Sequence, residues 1–150
     1  MPLSAKDIAY FEHRQDKARE FVARFPGGIN FRGKRVLDIG CGHGALSLHA
    51  ANEGAAEVMG LDVSDKLLDM ANELLQDRFT NYQPVVSFHL KTIEELDDKL
   101  FDIILSQATF EHILDPASCL AAVKKRLVPG ANFIWDSGPS TMPPSATTAD

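Results

Sequence analysis

Val36-Leu37-Asp38-Ile39-Gly40-Cys41-Gly42-His43-Gly44 is the stretch on which the fold turns. Its first half is a short run of β-branched and leucine residues, the pattern of a strand buried on both faces. The run stops at three alternating glycines, Gly40, Gly42 and Gly44. Glycine tolerates positive φ and lets a backbone approach a ligand closely. Residues 45–53 return to a helical pattern, which Gly54 ends. The amino end of such a helix faces the glycine loop and favours a negative group there. Alone, the loop fits a tight strand–helix turn as well as a binding site.

Outward from this stretch, strands and helices alternate. Residues 4–25 predict a helix, with Ser4 as cap and Ile8, Phe11, Ala18, Phe21, Val22 and Phe25 near helical spacing. Residues 57–61 predict a second strand. Ser64 caps a helix carrying Leu67, Leu68, Met70, Ala71, Leu74, Leu75 and Phe79. Residues 84–90 and 101–106 predict a third and a fourth strand. Asp115-Pro116 opens a last helix, since proline at the first helical position gives up no needed N–H. Pro129-Gly130 predicts a turn into a fifth strand over 131–136. Strands with two apolar faces alternating with helices imply an α/β, Rossmann-like, doubly wound and mostly parallel sheet. The glycine loop puts a ligand at the carboxyl ends of its strands. Residues 137–150 hold three prolines and one large apolar residue, Met142, and are expected to be a disordered tail.

The 150 residues suffice for one domain, and 45% hydrophobic with 24% charged residues argues against disorder. No apolar run is long enough to span a bilayer, and no signal-peptide core is visible. Two cysteines without a CxxC pair exclude a disulfide scaffold and a zinc ribbon, so a reduced cytoplasmic location is expected. Asp97 and Asp98 are adjacent on a turn, so no metal site is expected. The net charge of −6 divides into +4 over residues 1–35 and −10 over the rest. An acidic body repels a phosphate backbone, so nucleic acid is not the expected partner. The mixed charges of residues 12–20, Arg14 among them, read as a solvated helix face. They could also touch an anionic substrate.

A second signal is Gly60-Leu61-Asp62-Val63-Ser64, with Asp62 lying 22 residues after Gly40. A carboxylate at the end of a second strand can accept hydrogen bonds from ribose hydroxyls. The alternative role, helix cap, is already filled by Ser64. At this spacing, VLDIGCGHG and GLDVS resemble two motifs of the class I S-adenosylmethionine-dependent methyltransferases. FDIILSQATFEHILDP resembles the fourth-strand motif of the family's small-molecule branch, and RLVPGANFIW its fifth-strand motif. The resemblance covers about residues 34–136. The family implies seven strands in the order 3-2-1-4-5-7-6. This chain is expected to form five, in the order 3-2-1-4-5, because nothing after residue 136 looks able to supply the sixth and seventh. It therefore reads as a fragment, a C-terminally truncated gene product or a subunit completed by a partner, with a fifth-strand edge that an oligomer or partner chain could cover. Three parts are expected: residues 1–33 covering the cofactor site, a cofactor-binding domain at 34–136, and the tail.

The resemblance implies S-adenosylmethionine as cofactor. Backbones of Gly40, Cys41, Gly42 and Gly44 would line its methionyl part, with His43 as lining and Asp38 anchoring the amino group. Asp62 would bind the ribose and Val63 would pack on adenine. Ser106 and Gln107 would face the methionyl and sulfonium end. Thr92 and Ile93 stand where many relatives have Gly-Asp, so Thr92 is a neutral partner for adenine and Ile93 could pack on it. A base is not required when the methyl donor is already activated. His112 and His13 are candidates for one, and His49 and His89 read as structural. Cys41 does not read as a nucleophile. The expected activity is methyl transfer to a small molecule. A non-catalytic cofactor-binding module remains an alternative, as does an NAD-dependent oxidoreductase, although the loop is GxGxG and not GxGxxG.

Overall fold

The computed structural model describes residues 3–107, 115–135 and 145–148. Helix α1 spans Ala5–Ala23, strand β1 Arg35–Ile39, helix α2 Ala45–Asn52, strand β2 Glu57–Asp62 and helix α3 Asp65–Asp77. Strand β3 follows at Val86–Leu90, β4 at Phe101–Ser106, helix α4 at Pro116–Arg126, β5 at Leu127–Trp135 and β6 at Ser145–Thr148. One sheet runs in the order β3-β2-β1-β4-β5-β6. The first five strands are parallel. That is the 3-2-1-4-5 order expected from the sequence.

Two expectations are corrected. Ser145–Thr148 is not a disordered tail: it pairs antiparallel with β5, Asn132 opposite Thr148 and Trp135 opposite Ser145. The sheet thus has six strands, and the chain's own residues pair with the β5 edge that the sequence reading left open. An open edge presents unpaired N–H and C=O groups, and a threonine-containing segment is suited to satisfy them. The fifth strand also starts earlier than expected, directly after α4. Phe101 pairs with Leu127, yet Ile103 pairs with Asn132. Over that interval β5 carries the extra residues around Pro129-Gly130 as an irregularity.

Successive residues of β1 face opposite sides of the sheet. Val36 joins Val58, Val86, Ile103, Leu105 and Ile134 in a core under α1, α2 and α3. Leu37 and Ile39 join Leu61, Phe101, Ile104 and Phe133 in a second core under α4. Packing holds α1 in place. Phe11 and Phe21 are buried, each worth roughly 1.5–3 kcal/mol. Its exposed pairs, Lys17–Glu20 and Arg19–Asp16, contribute about 0.3–0.5 kcal/mol each. Ser4 forms a capping box with Asp7 at its start.

Gly60 lies where β2 passes under the glycine loop. A Cβ there would sit 2.7 Å from Phe88 Cδ1 and 2.9 Å from Cys41 Sγ. Gly60→Ala should therefore destabilise the protein by about 1–3 kcal/mol through overpacking. Urea denaturation checks this, and an unchanged midpoint would contradict the packing described.

Candidate active site

The site forms where β1, β2 and β4 end. Gly40, Gly42 and Gly44 all have positive φ, at 70°, 55° and 86°. Gly44 is obligatory twice over, because a Cβ there would meet the Phe88 ring at 2.4 Å. At Gly42 a Cβ would meet nothing within 4 Å, so the loop backbone borders open space there. Two hydrogen bonds tie the loop to β2. Cys41 N–H donates to Leu61 O at 2.9 Å, and Gly42 N–H donates to Asp62 Oδ2 at 2.8 Å. The other Asp62 oxygen accepts from Ser64 N–H at 2.9 Å. Ser64 itself caps α3 through Leu67 N–H. Each carboxylate oxygen of Asp62 keeps a lone pair for a further donor. Val63, beside it, is 74% exposed.

Asp38 lies below the loop, only 2% exposed. Its Oδ2 accepts from Ser47 Oγ, in the first turn of α2, at 2.7 Å. Burial pushes its pKa up from 3.8 to about 7, and the Asp62 charge adds to the rise. The Ser47 hydrogen bond and the Arg14 charge oppose it. Burial likewise raises the Cys41 thiol, which argues against a thiolate there. Ser106, at the end of β4, is buried, and its Oγ has no hydrogen-bond partner among the described residues. A buried hydroxyl without a partner is uncommon and marks a place for a ligand or water.

Helix α1 lies against the same place. The Tyr10 ring centroid is 4.6 Å from that of His43. Gln107 Nε2 donates to Lys17 O at 3.1 Å. His43 is 6% exposed, and burial, then Arg14, lowers its pKa.

The family described as "Methyltransferase domain" matches residues 30–146. This chain belongs to that family. The methyltransferase domain is 34% identical over 121 residues to the ubiquinone biosynthesis O-methyltransferase of Alkalilimnicola ehrlichii, covering 79% of this chain and 46% of that protein. It is 40% identical over 108 residues to the one from Aromatoleum aromaticum, covering 70% and 44%. The chain thus spans about half the length of the curated relatives it matches. The crystal structure of an S-adenosylmethionine dependent methyltransferase from Mesorhizobium loti superimposes with a TM-score of 0.63 at 27% identity, covering 80% of this chain and 51% of that one.

Within the methyltransferase domain, the expected residues divide. Asp38, residues 40–44, Asp62, Val63 and Ser106 come together at the strand ends, and Gln107 joins them to α1. Thr92 does not offer a free hydroxyl, because its Oγ1 donates to Glu95 Oε1 at 3.0 Å. Ile93 is corrected from ring contact to core: it is 2% exposed among Leu37, Ile39 and Leu61. A short 3-10 turn over Ile93–Glu95 points it inward. His13 is exposed on α1. His112 lies outside the described residues. His89 bonds Ser87 Oγ, and His49 packs on Phe31. Sequence reading missed Ser47 and Phe88. A serine inside an otherwise apolar helix was a signal for the first. Nothing in the pattern marked the second. Among the described residues, no group of three or more His, Cys, Asp or Glu could hold a metal. Among the described residues, no helix is long and apolar enough to cross a membrane.

A carboxyl whose folded pKa lies above its unfolded value favours the folded state at low pH. The Asp38 contribution is fully present below about pH 4 and is lost as pH rises through about 7. Asp38→Asn keeps the Ser47 acceptor and removes the ionisation. Urea unfolding from pH 5 to pH 8 should show the variant gaining on the parent by a few kcal/mol as pH rises. Parallel pH profiles would exclude a strained Asp38.

Proposed function

We propose that this domain binds S-adenosylmethionine and serves transfer of its methyl group to a small-molecule acceptor, leaving S-adenosylhomocysteine. The observation that carries the reading is the Asp62 carboxylate held at the mouth of the glycine loop by Gly42 N–H at 2.8 Å. It sets a charged acceptor for sugar hydroxyls beside an open stretch of backbone. The residues present fit the cofactor. The orphaned Ser106 Oγ offers a hydrogen bond at the end of β4. Exposed Val63 offers an apolar face for a purine. The buried Asp38 carboxylate suits an ammonium group, and the loop amides suit a carboxylate.

When bound, S-adenosylmethionine supplies a methyl group already activated by its sulfonium. The chain's own residues then have mainly to align the reactants, an effect worth on the order of 7–11 kcal/mol. Asp62 would hold the sugar, Val63 the base, and Asp38 with the loop the amino-acid end. Gln107 and α1 would close the site over the acceptor and limit water. No general base is assigned. The buried, unpaired thiols of Cys41 and Cys119 suit a reducing compartment such as the cytoplasm. The names of the relatives support an oxygen acceptor on a small molecule.

Titration calorimetry with S-adenosylhomocysteine and with NAD tests the reading. Binding of the first and not the second is expected. Asp62→Ala should weaken S-adenosylhomocysteine by about 10- to 100-fold, as expected for loss of a charged hydrogen-bond acceptor. Binding of NAD alone would replace the methyl donor with a nicotinamide.

A further inference from the structure

The candidate site lies at the carboxyl ends of the strands, and a separate hollow lies at their amino ends. It is a groove of about 520 Å³ between the loop after α1 and the irregular first part of β5. Buried Ile103 and Ile134 and partly buried Phe25, Ile29 and Val128 give it an apolar lining. Two features hold it open. Over residues 128–131, β5 leaves its register with β4, between the Phe101–Leu127 and Ile103–Asn132 pairs. Gly28 and Gly130, one from each side of the groove, have φ of 73° and 82°, and a Cβ at either would meet nothing within 4 Å. The volume falls in the range of small-molecule sites, roughly 300–1,000 Å³.

The charges in the lining do not cancel. Asp102 is there, but its Oδ2 accepts from Arg35 N–H at 2.8 Å and lies 3.5 Å from Arg35 Nε. Lys34 is half-buried, and its ammonium has no hydrogen-bond or ion-pair partner among the described residues. Its backbone is fixed. Lys34 N–H donates to Phe31 O at 3.0 Å, and Ala56 N–H donates to Lys34 O at 2.8 Å. Asn30 Oδ1 accepts from Arg32 N–H at 3.2 Å, which leaves the Asn30 amide N–H groups as donors. One unmatched cation and an amide donor thus stand over an apolar surface, in a protein whose net charge is −6.

We propose that this groove is a second ligand site, taking a small organic anion whose apolar body lies on Ile29, Ile103 and Val128 and whose acid group meets Lys34. The proposal is independent of the S-adenosylmethionine reading. A neutral apolar molecule would strip water from the ammonium without replacing it. An inorganic anion would leave the apolar lining wet. Only a molecule with both parts satisfies both surfaces.

Anilinonaphthalene sulfonate has both parts, and phenylnaphthylamine is the same body without the charge. In fluorescence titrations of the parent protein, the sulfonate should bind about 5-fold more tightly than the uncharged dye, the factor expected of one partly exposed ion pair. Lys34→Gln should erase that preference and leave affinity for the uncharged dye unchanged, whereas Lys34→Arg should keep it. Ile29→Ser should weaken both dyes. Saturating S-adenosylhomocysteine should displace neither. Displacement would put the dyes at the carboxyl ends of the strands and overturn the proposal. So would a preference that survives Lys34→Gln, or the absence of saturable sulfonate binding by the parent.

Discussion

The hydrogen bond from Gly42 N–H to Asp62 Oδ2 is the constraint on which the site is built. It joins the loop after β1 to the end of β2, and the Cys41 N–H to Leu61 O bond reinforces it one residue earlier. Together they hold a backbone that only glycine adopts easily, with positive φ at three alternate positions. The aromatic ring of Phe88 then fills the space under Gly44 and Gly60 that side chains would otherwise need. The bend is thus packed from below and tethered at the side, while its outer backbone faces open space at Gly42.

The same geometry concentrates charge. Burial raises the pKa of Asp38, and the nearby Asp62 carboxylate adds to the rise. A buried acid with one hydroxyl partner costs stability when ionised. Such a cost is tolerable where a ligand cation offsets it, and strained groups gather at functional sites for that reason.

Much of this was legible along the chain. The β1 run, its glycines and Asp62 are close in sequence, and each has a local physical signature: a doubly apolar strand, positive-φ residues, and an acid one residue past a strand. Long-range consequences were harder to see. Ile93 reads as a neighbour of the site by position, but a short 3-10 turn sends it into the core under α4. The segment after residue 136 reads as tail because prolines dominate it, yet Ser145–Thr148 pairs with β5. Strand pairing depends on an available edge, and composition does not record one.

The sequence alone determined the alternation of strands and helices and the glycine loop after the first strand, because periodicity and glycine chemistry act over a few neighbours, while the order 3-2-1-4-5 was what the family resemblance implied. The tertiary structure alone decided that Ser47 partners Asp38, that Phe88 fits beneath two glycines, and that β6 pairs with the β5 edge. These are meetings of residues distant in the chain. They follow from which faces pack together, and that is set only when the whole sheet and its covering helices are in place.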